Sequence, residues 1–106
     1  VIRALSPPYL LATKLEAFKG RGDGDFLGSR DFADIIALVD GREELVDEVA
    51  AADQRVRQFV AHETGLLLAA PRIADGLFGT MRADPASQQR AESVVLPALQ
   101  SIAGAA

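Results

Sequence analysis

Ser29-Arg30-Asp31-Phe32-Ala33-Asp34-Ile35-Ile36-Ala37-Leu38-Val39 carries large apolar side chains at 32, 35, 36 and 39. Those positions share one face of a 3.6-residue period and fall on both faces of a strand, whose period is two. Ser29 offers a side-chain oxygen to the first free backbone N–H groups, so the spacing predicts a capped helix from Ser29 to about Val39. The same period recurs on both sides. Upstream, Ser6-Pro7-Pro8 supplies a cap and a helix-start proline, and residues 9 to about 19 read as a helix with Leu11, Leu15 and Phe18 inward. Downstream, Asp40-Gly41-Arg42-Glu43 has the form of a capping box opening a third helix, with Leu45, Val46 and Val49 inward. Asp53 stands as the cap of a fourth, along which Val56, Phe59, Val60 and Leu67 align, and Pro71 ends it. Ile73, Leu77 and Phe78 mark a short helix ending near Gly79. Asp84-Pro85 opens the last, carrying Val94, Val95, Leu99 and Ile102, and Pro97 should kink or shorten it. Gly104-Ala105-Ala106 reads as a frayed tail.

Two segments break the helical pattern. Residues 1–5 are short and apolar and read as a strand. Residues 19–28 hold four of the nine glycines and read as a turn between helices. A lone strand leaves backbone groups unpaired, which hints at a sheet upstream. The expected fold is therefore mainly α, with five or six helices and one short N-terminal strand.

Composition narrows the function classes. At 106 residues, 49% hydrophobic and 25% charged, the chain has the balance of one globular domain or part of one. The absence of cysteine removes disulfides, thiol nucleophiles and cysteine-ligated zinc, and one histidine cannot build a histidine-rich metal site. No apolar run approaches ~20 residues, so no membrane span is expected. The first five residues are too short a run for a signal peptide, which makes the cytoplasm the expected location. A net charge of −4 gives no general pull on nucleic acid.

Lys14 is the first candidate for chemistry. It falls between Leu10 and Phe18 on the helical wheel, with Ala17 beside it, while Thr13 and Glu16 take the opposite side. An ammonium inside an apolar arc either extends to water along its own stem or finds a partner. Arg21 continues the same stripe if the helix bridges Gly20. Asp31 and Asp34 are the second candidate: at i, i+3 they share one side of their helix, away from its apolar stripe. They read either as a solvated acidic face near a helix N-terminus, where carboxylates are welcome, or as a metal ligand or proton acceptor. The glycine-rich loop has no preceding strand and no Gly-Lys-Ser/Thr ending, so it is not a phosphate-binding loop. Asp23 and Asp25 match the start of a calcium loop, but Leu27 stands at its fifth position. His62 has no serine or carboxylate at triad spacing and reads as a boundary residue.

Tyr9-Leu10-Leu11-Ala12-Thr13-Lys14-Leu15-Glu16-Ala17-Phe18-Lys19-Gly20-Arg21-Gly22, followed by Ser29-Arg30-Asp31-Phe32-Ala33-Asp34-Ile35-Ile36 and Val39-Asp40-Gly41-Arg42-Glu43-Glu44-Leu45, resembles the AbiEii/AbiGii toxin family of nucleotidyltransferases. That family is similar to the DNA polymerase β-type superfamily. The resemblance covers residues 1 to about 50 and rests on a lysine helix followed by an Asp-x-x-Asp helix. It implies a two-part enzyme. A mixed sheet bears a Gly-Ser signature and an Asp-x-Asp pair that holds catalytic Mg2+, and a helical C-terminal part closes the nucleotide cleft.

On this resemblance Lys14, with Arg21, contacts the phosphates of a nucleoside triphosphate, and one of Asp31 and Asp34 assists catalysis. The implied partners are an upstream nucleotidyltransferase sheet, an antitoxin protein, and a tRNA or protein acceptor. The sequence departs from the family in one respect: no Gly-Ser followed by Asp-x-Asp precedes Lys14, and Gly28-Ser29 lies downstream. The expectation is the C-terminal half of such an enzyme, inactive alone. Residues 1–5 would be the last sheet strand, 6–50 the lysine and Asp-x-x-Asp helices, and 51–106 a helical tail. The alternative is a stand-alone helical domain that docks another protein or forms a homodimer.

Overall fold

The computed structural model describes residues 6–19 and 29–105. The expected strand at residues 1–5 and the glycine-rich loop with Arg21, Asp23 and Asp25 lie outside the described residues. Among the described residues all regular structure is helical: α1 (Pro7–Ala17), α2 (Arg30–Gly41), α3 (Leu45–Ala50), α4 (Gln54–Ala69), α5 (Ile73–Thr80), α6 (Pro85–Arg90) and α7 (Leu96–Ala103). A π-helical turn, Ala91–Val95, joins α6 to α7 without a break. The fold is mainly α, as the periodicity predicts. Among the described residues no helix is long and apolar enough to cross a membrane.

Local chemistry sets most of the boundaries. Pro7 and Pro8 occupy the first turn of α1, where a missing N–H costs nothing. Ser29 caps α2, its Oγ accepting the Phe32 N–H at 3.1 Å. Asp84 caps α6: one carboxylate oxygen accepts the Ser87 N–H at 2.8 Å and the other accepts the Ser87 hydroxyl at 2.9 Å. α4 stops at Ala69, two residues before Pro71, as a proline requires of the helix ahead of it.

Three local expectations are corrected in whole or in part. The Asp40–Glu43 capping box does not form, because α2 runs through Asp40 to Gly41. Asp40 instead pairs with Arg90 at 3.1 and 3.3 Å, fifty residues on, and Arg42 pairs with Glu48 at 2.6 and 2.8 Å. Bidentate guanidinium–carboxylate pairs outcompete a single capping bond. Of the two outcomes expected at Pro97, the last helix is not shortened, since it runs on to Ala103, but it is distorted. The Leu96 N–H reaches back five residues to the Ala91 carbonyl, and this widened turn just ahead of Pro97 absorbs the bond the proline cannot make. The tail is not frayed at Ala105, which packs partly buried against the core and donates its N–H to the Ile102 carbonyl at 3.1 Å.

α4 packs on both α1 and α7, and α1 packs on α2. The predicted stripes meet in one continuous core. Leu11 and Leu15 of α1, Phe32, Ile35, Ile36 and Val39 of α2, Val60 and Leu67 of α4, and Leu99 and Ile102 of α7 are all buried. Each such side chain contributes roughly 1.5–3 kcal/mol on burial. The Phe18 and Phe32 rings lie 5.7 Å apart at 43°, which fixes the C-terminal end of α1 against the first turn of α2. The Cα radius of gyration, 13.0 Å, matches the ~13 Å expected of about 100 packed residues.

Candidate functional site

The α1–α2 seam brings together the residues that the sequence singles out. Lys14 leaves α1 one turn before Phe18 and reaches across to the first two turns of α2. Its Nζ lies 2.8 Å from Asp34 Oδ2 and 4.0 Å from Asp31 Oδ1. The first distance is a charge-assisted hydrogen bond; the second is Coulomb contact without a hydrogen bond. Lys14 is thus held by partners and does not simply snorkel. Both aspartates lie beside Lys14, Asp31 largely covered and Asp34 still open to solvent. Their exposures differ: the Asp31 side chain is 13% accessible and the Asp34 side chain 41%, with Lys14 between them at 30%.

The geometry follows from the core. Phe32 and Ile35 are buried, so their neighbours Asp31 and Asp34 emerge on the adjoining side of α2, against α1. Asp31 also sits in the first turn of its helix, where the exposed N–H groups favour a carboxylate. An ammonium has three donors, and Asp34 takes one of them. The partly open surface leaves room for a second acceptor on Lys14. Asp34, the more open carboxylate, can also accept a proton or a hydrogen bond from outside.

The donor set does not suit Mg2+. The Lys14 ammonium, 2.8 Å from Asp34, already takes the carboxylate oxygen that a metal ion would need, and octahedral Mg2+ needs oxygen ligands free of that competition. Among the described residues no group of three or more His, Cys, Asp or Glu side chains could hold a metal ion.

Sequence reasoning missed Glu63. It is only 7% exposed, on the buried seam of α4 between Val60 and Leu67. Lys19 Nζ lies 3.5 Å from its carboxylate, and His62 Nε2 lies 4.0 Å away. The available signal was its place at i+3 from Val60 and i−4 from Leu67, inside the apolar stripe. His62 itself is exposed, consistent with a boundary position. A shallow groove of about 260 Å3 runs between α1 and α4, floored by Ala12, Val56 and Phe59 and edged by Tyr9, Glu16 and Arg55. No family model matches this chain, and no match is found among curated proteins or solved structures.

Proposed function

We propose that the chain is the helical, nucleotide-cleft-closing portion of an AbiEii-type nucleotidyltransferase toxin. The observation that supports this reading is the convergence of Lys14 with Asp31 and Asp34, which carry the resemblance and come from two separate helices. In this reading the free donors of Lys14 take up nucleotide phosphate. Asp34 accepts a proton or hydrogen bond from the acceptor hydroxyl, and Asp31 holds Lys14 in place. The metal-binding carboxylates that phosphoryl transfer requires are not supplied by the described residues, and a separate polypeptide portion bearing Gly-Ser and Asp-x-Asp must supply them.

The test compares the 106-residue chain with the enzyme completed by such a portion, using labelled nucleoside triphosphate, Mg2+, and tRNA or protein acceptor. The chain alone should transfer nothing. In the completed enzyme Lys14→Ala should cut transfer about 100-fold, the loss of roughly 3 kcal/mol for one positioned donor. Full activity of that variant would overturn the role of Lys14, and transfer by the chain alone would overturn its reading as half a site.

A second reading is a helical docking or self-association domain. It is favoured by one observation: Tyr9, half exposed, borders the apolar α1–α4 groove. Light scattering that shows a monomer at high concentration would remove the self-association form of it.

A further inference from the structure

We propose that the cavity bounded by the end of α2, the start of α3 and the π turn ahead of α7 binds a small amphipathic amine, an ammonium group on an alkyl or aromatic body. The cavity shares no residue with the Lys14 cluster, so this inference stands or falls apart from the function proposed above.

The cavity has room and an apolar wall. It holds about 520 Å3, within the roughly 300–1,000 Å3 of small-molecule pockets. Val46 of α3, Val94 of the π turn and Ala98 of α7 line it. Val94 is 42% exposed, a large apolar side chain that folding leaves uncovered. The other exposed large apolar side chains among the described residues, Tyr9 and Leu66, lie outside the cavity. One such residue at the cavity suits a small ligand, whereas a protein partner needs a broad patch. The π turn points the same way, since such turns interrupt helical bonding and recur at functional sites.

The polar groups of the cavity call for a donor. The Leu38 carbonyl accepts the Arg42 N–H, but among the described residues the Val39, Asp40 and Gly41 carbonyls accept no backbone N–H, and all three of those residues line the cavity. Pro97 has no N–H to give the Ser93 carbonyl four residues back, and the Ser93 hydroxyl donates to the Gln89 carbonyl at 2.8 Å. The one guanidinium that lines the cavity, Arg42, donates to both oxygens of Glu48 at 2.6 and 2.8 Å and is neutralised there.

Charge decides the sign of the ligand. Residues 40–48 hold five carboxylates and one guanidinium, a net −4 that equals the charge of the whole chain. The end of α2 adds the negative pole of its helix dipole. Glu43, exposed at the cavity, pairs with no cation among the described residues. Unspent acceptors, negative charge and an apolar wall together select a ligand that carries N–H donors and positive charge on an apolar body.

The test is titration of phenethylamine into the 106-residue chain, followed by methyl NMR spectra. The Val46 and Val94 methyl signals should shift saturably while those of Leu66 stay still. Phenylethyl alcohol, the same body without the charge, should bind about tenfold more weakly. Glu43→Gln should weaken the amine about threefold, the effect of one exposed ion pair. Gly41→Leu should abolish binding, because a Cβ at Gly41 meets no atom within 4 Å and the added side chain takes up the open space. Ala98→Leu fills the same cavity from α7 and serves if the first variant does not fold, as a thermal melt of each will show. Equal binding of amine and alcohol, or an unchanged affinity in Glu43→Gln, overturns the selection for a cation. Undiminished binding in a folded cavity-filling variant overturns the location, and no shift at Val46 and Val94 overturns the proposal outright.

Discussion

Deleting the Lys14 ammonium would take from Asp34 its 2.8 Å partner, and that fixes what the lysine contributes to stability. The Lys14–Asp34 bond is short, but Asp34 is well exposed, so solvent screening holds its net worth near the upper end of surface pairs. A double-mutant cycle of Lys14→Met and Asp34→Asn, followed by urea unfolding at neutral pH, should give a coupling of about 0.5–1 kcal/mol. A coupling of zero would mean that the two side chains do not hold each other in solution. At this scale the sequence was informative where a residue broke a pattern. Lys14 interrupts an apolar arc, and Asp31 and Asp34 share a helix side, so each was legible by itself. Their meeting was not legible, because it depends on how α1 and α2 cross. The Asp40–Arg90 pair, fifty residues apart, left no local trace at all.

Helix ends respond to single hydrogen bonds, and two of them make predictions. Ser29→Ala removes the acceptor for the Phe32 N–H and should cost about 1 kcal/mol in urea unfolding. Loss of much less would mean that water caps α2 equally well. Acid should act on α3 and α6. The Ser87 N–H first, and its hydroxyl second, hold the Asp84 carboxyl below its ordinary value of 3.8. The bond from the Arg42 guanidinium holds Glu48 below 4.5. Both groups bind a proton less readily folded than unfolded. Their contribution is therefore present above about pH 4.5 and is lost as pH falls through the lowered folded values. Urea midpoints of the wild type should drop from pH 4.5 downward. Asp84→Asn keeps an acceptor for Ser87 but cannot titrate, so its midpoint should drop less. Equal acid slopes for the two proteins would overturn this account. Helix positions were readable because period and caps are local. The overrun of α2 past Asp40 and the π turn before Pro97 were not, because both answer to contacts and register set by the rest of the fold.

The whole molecule should unfold as one unit, because the buried side chains of the described residues form one continuous core. α4 touches both α1 and α7, so the half that carries Lys14 and the aspartates shares buried side chains with the C-terminal helices. A domain of this size has roughly 5–15 kcal/mol of stability in total, too little for either half to persist once the shared α4 surface is lost. The chain offers a clean probe of this. Tyr9 is its one tyrosine and there is no tryptophan, so intrinsic fluorescence reports the α1–α4 groove, whereas far-ultraviolet circular dichroism reports all the helices. Urea transitions followed by the two signals should superimpose on one midpoint. Phe32 is fully buried between the aspartates in sequence and stacks near Phe18. Phe32→Ala should therefore cost about 3–5 kcal/mol and move both transitions together. If fluorescence changed at lower urea than dichroism, α1 would be separable from the remaining helices. The Lys14 site would then rest on a detachable helix, and the wild-type and Phe32→Ala curves would part by probe instead of shifting as one.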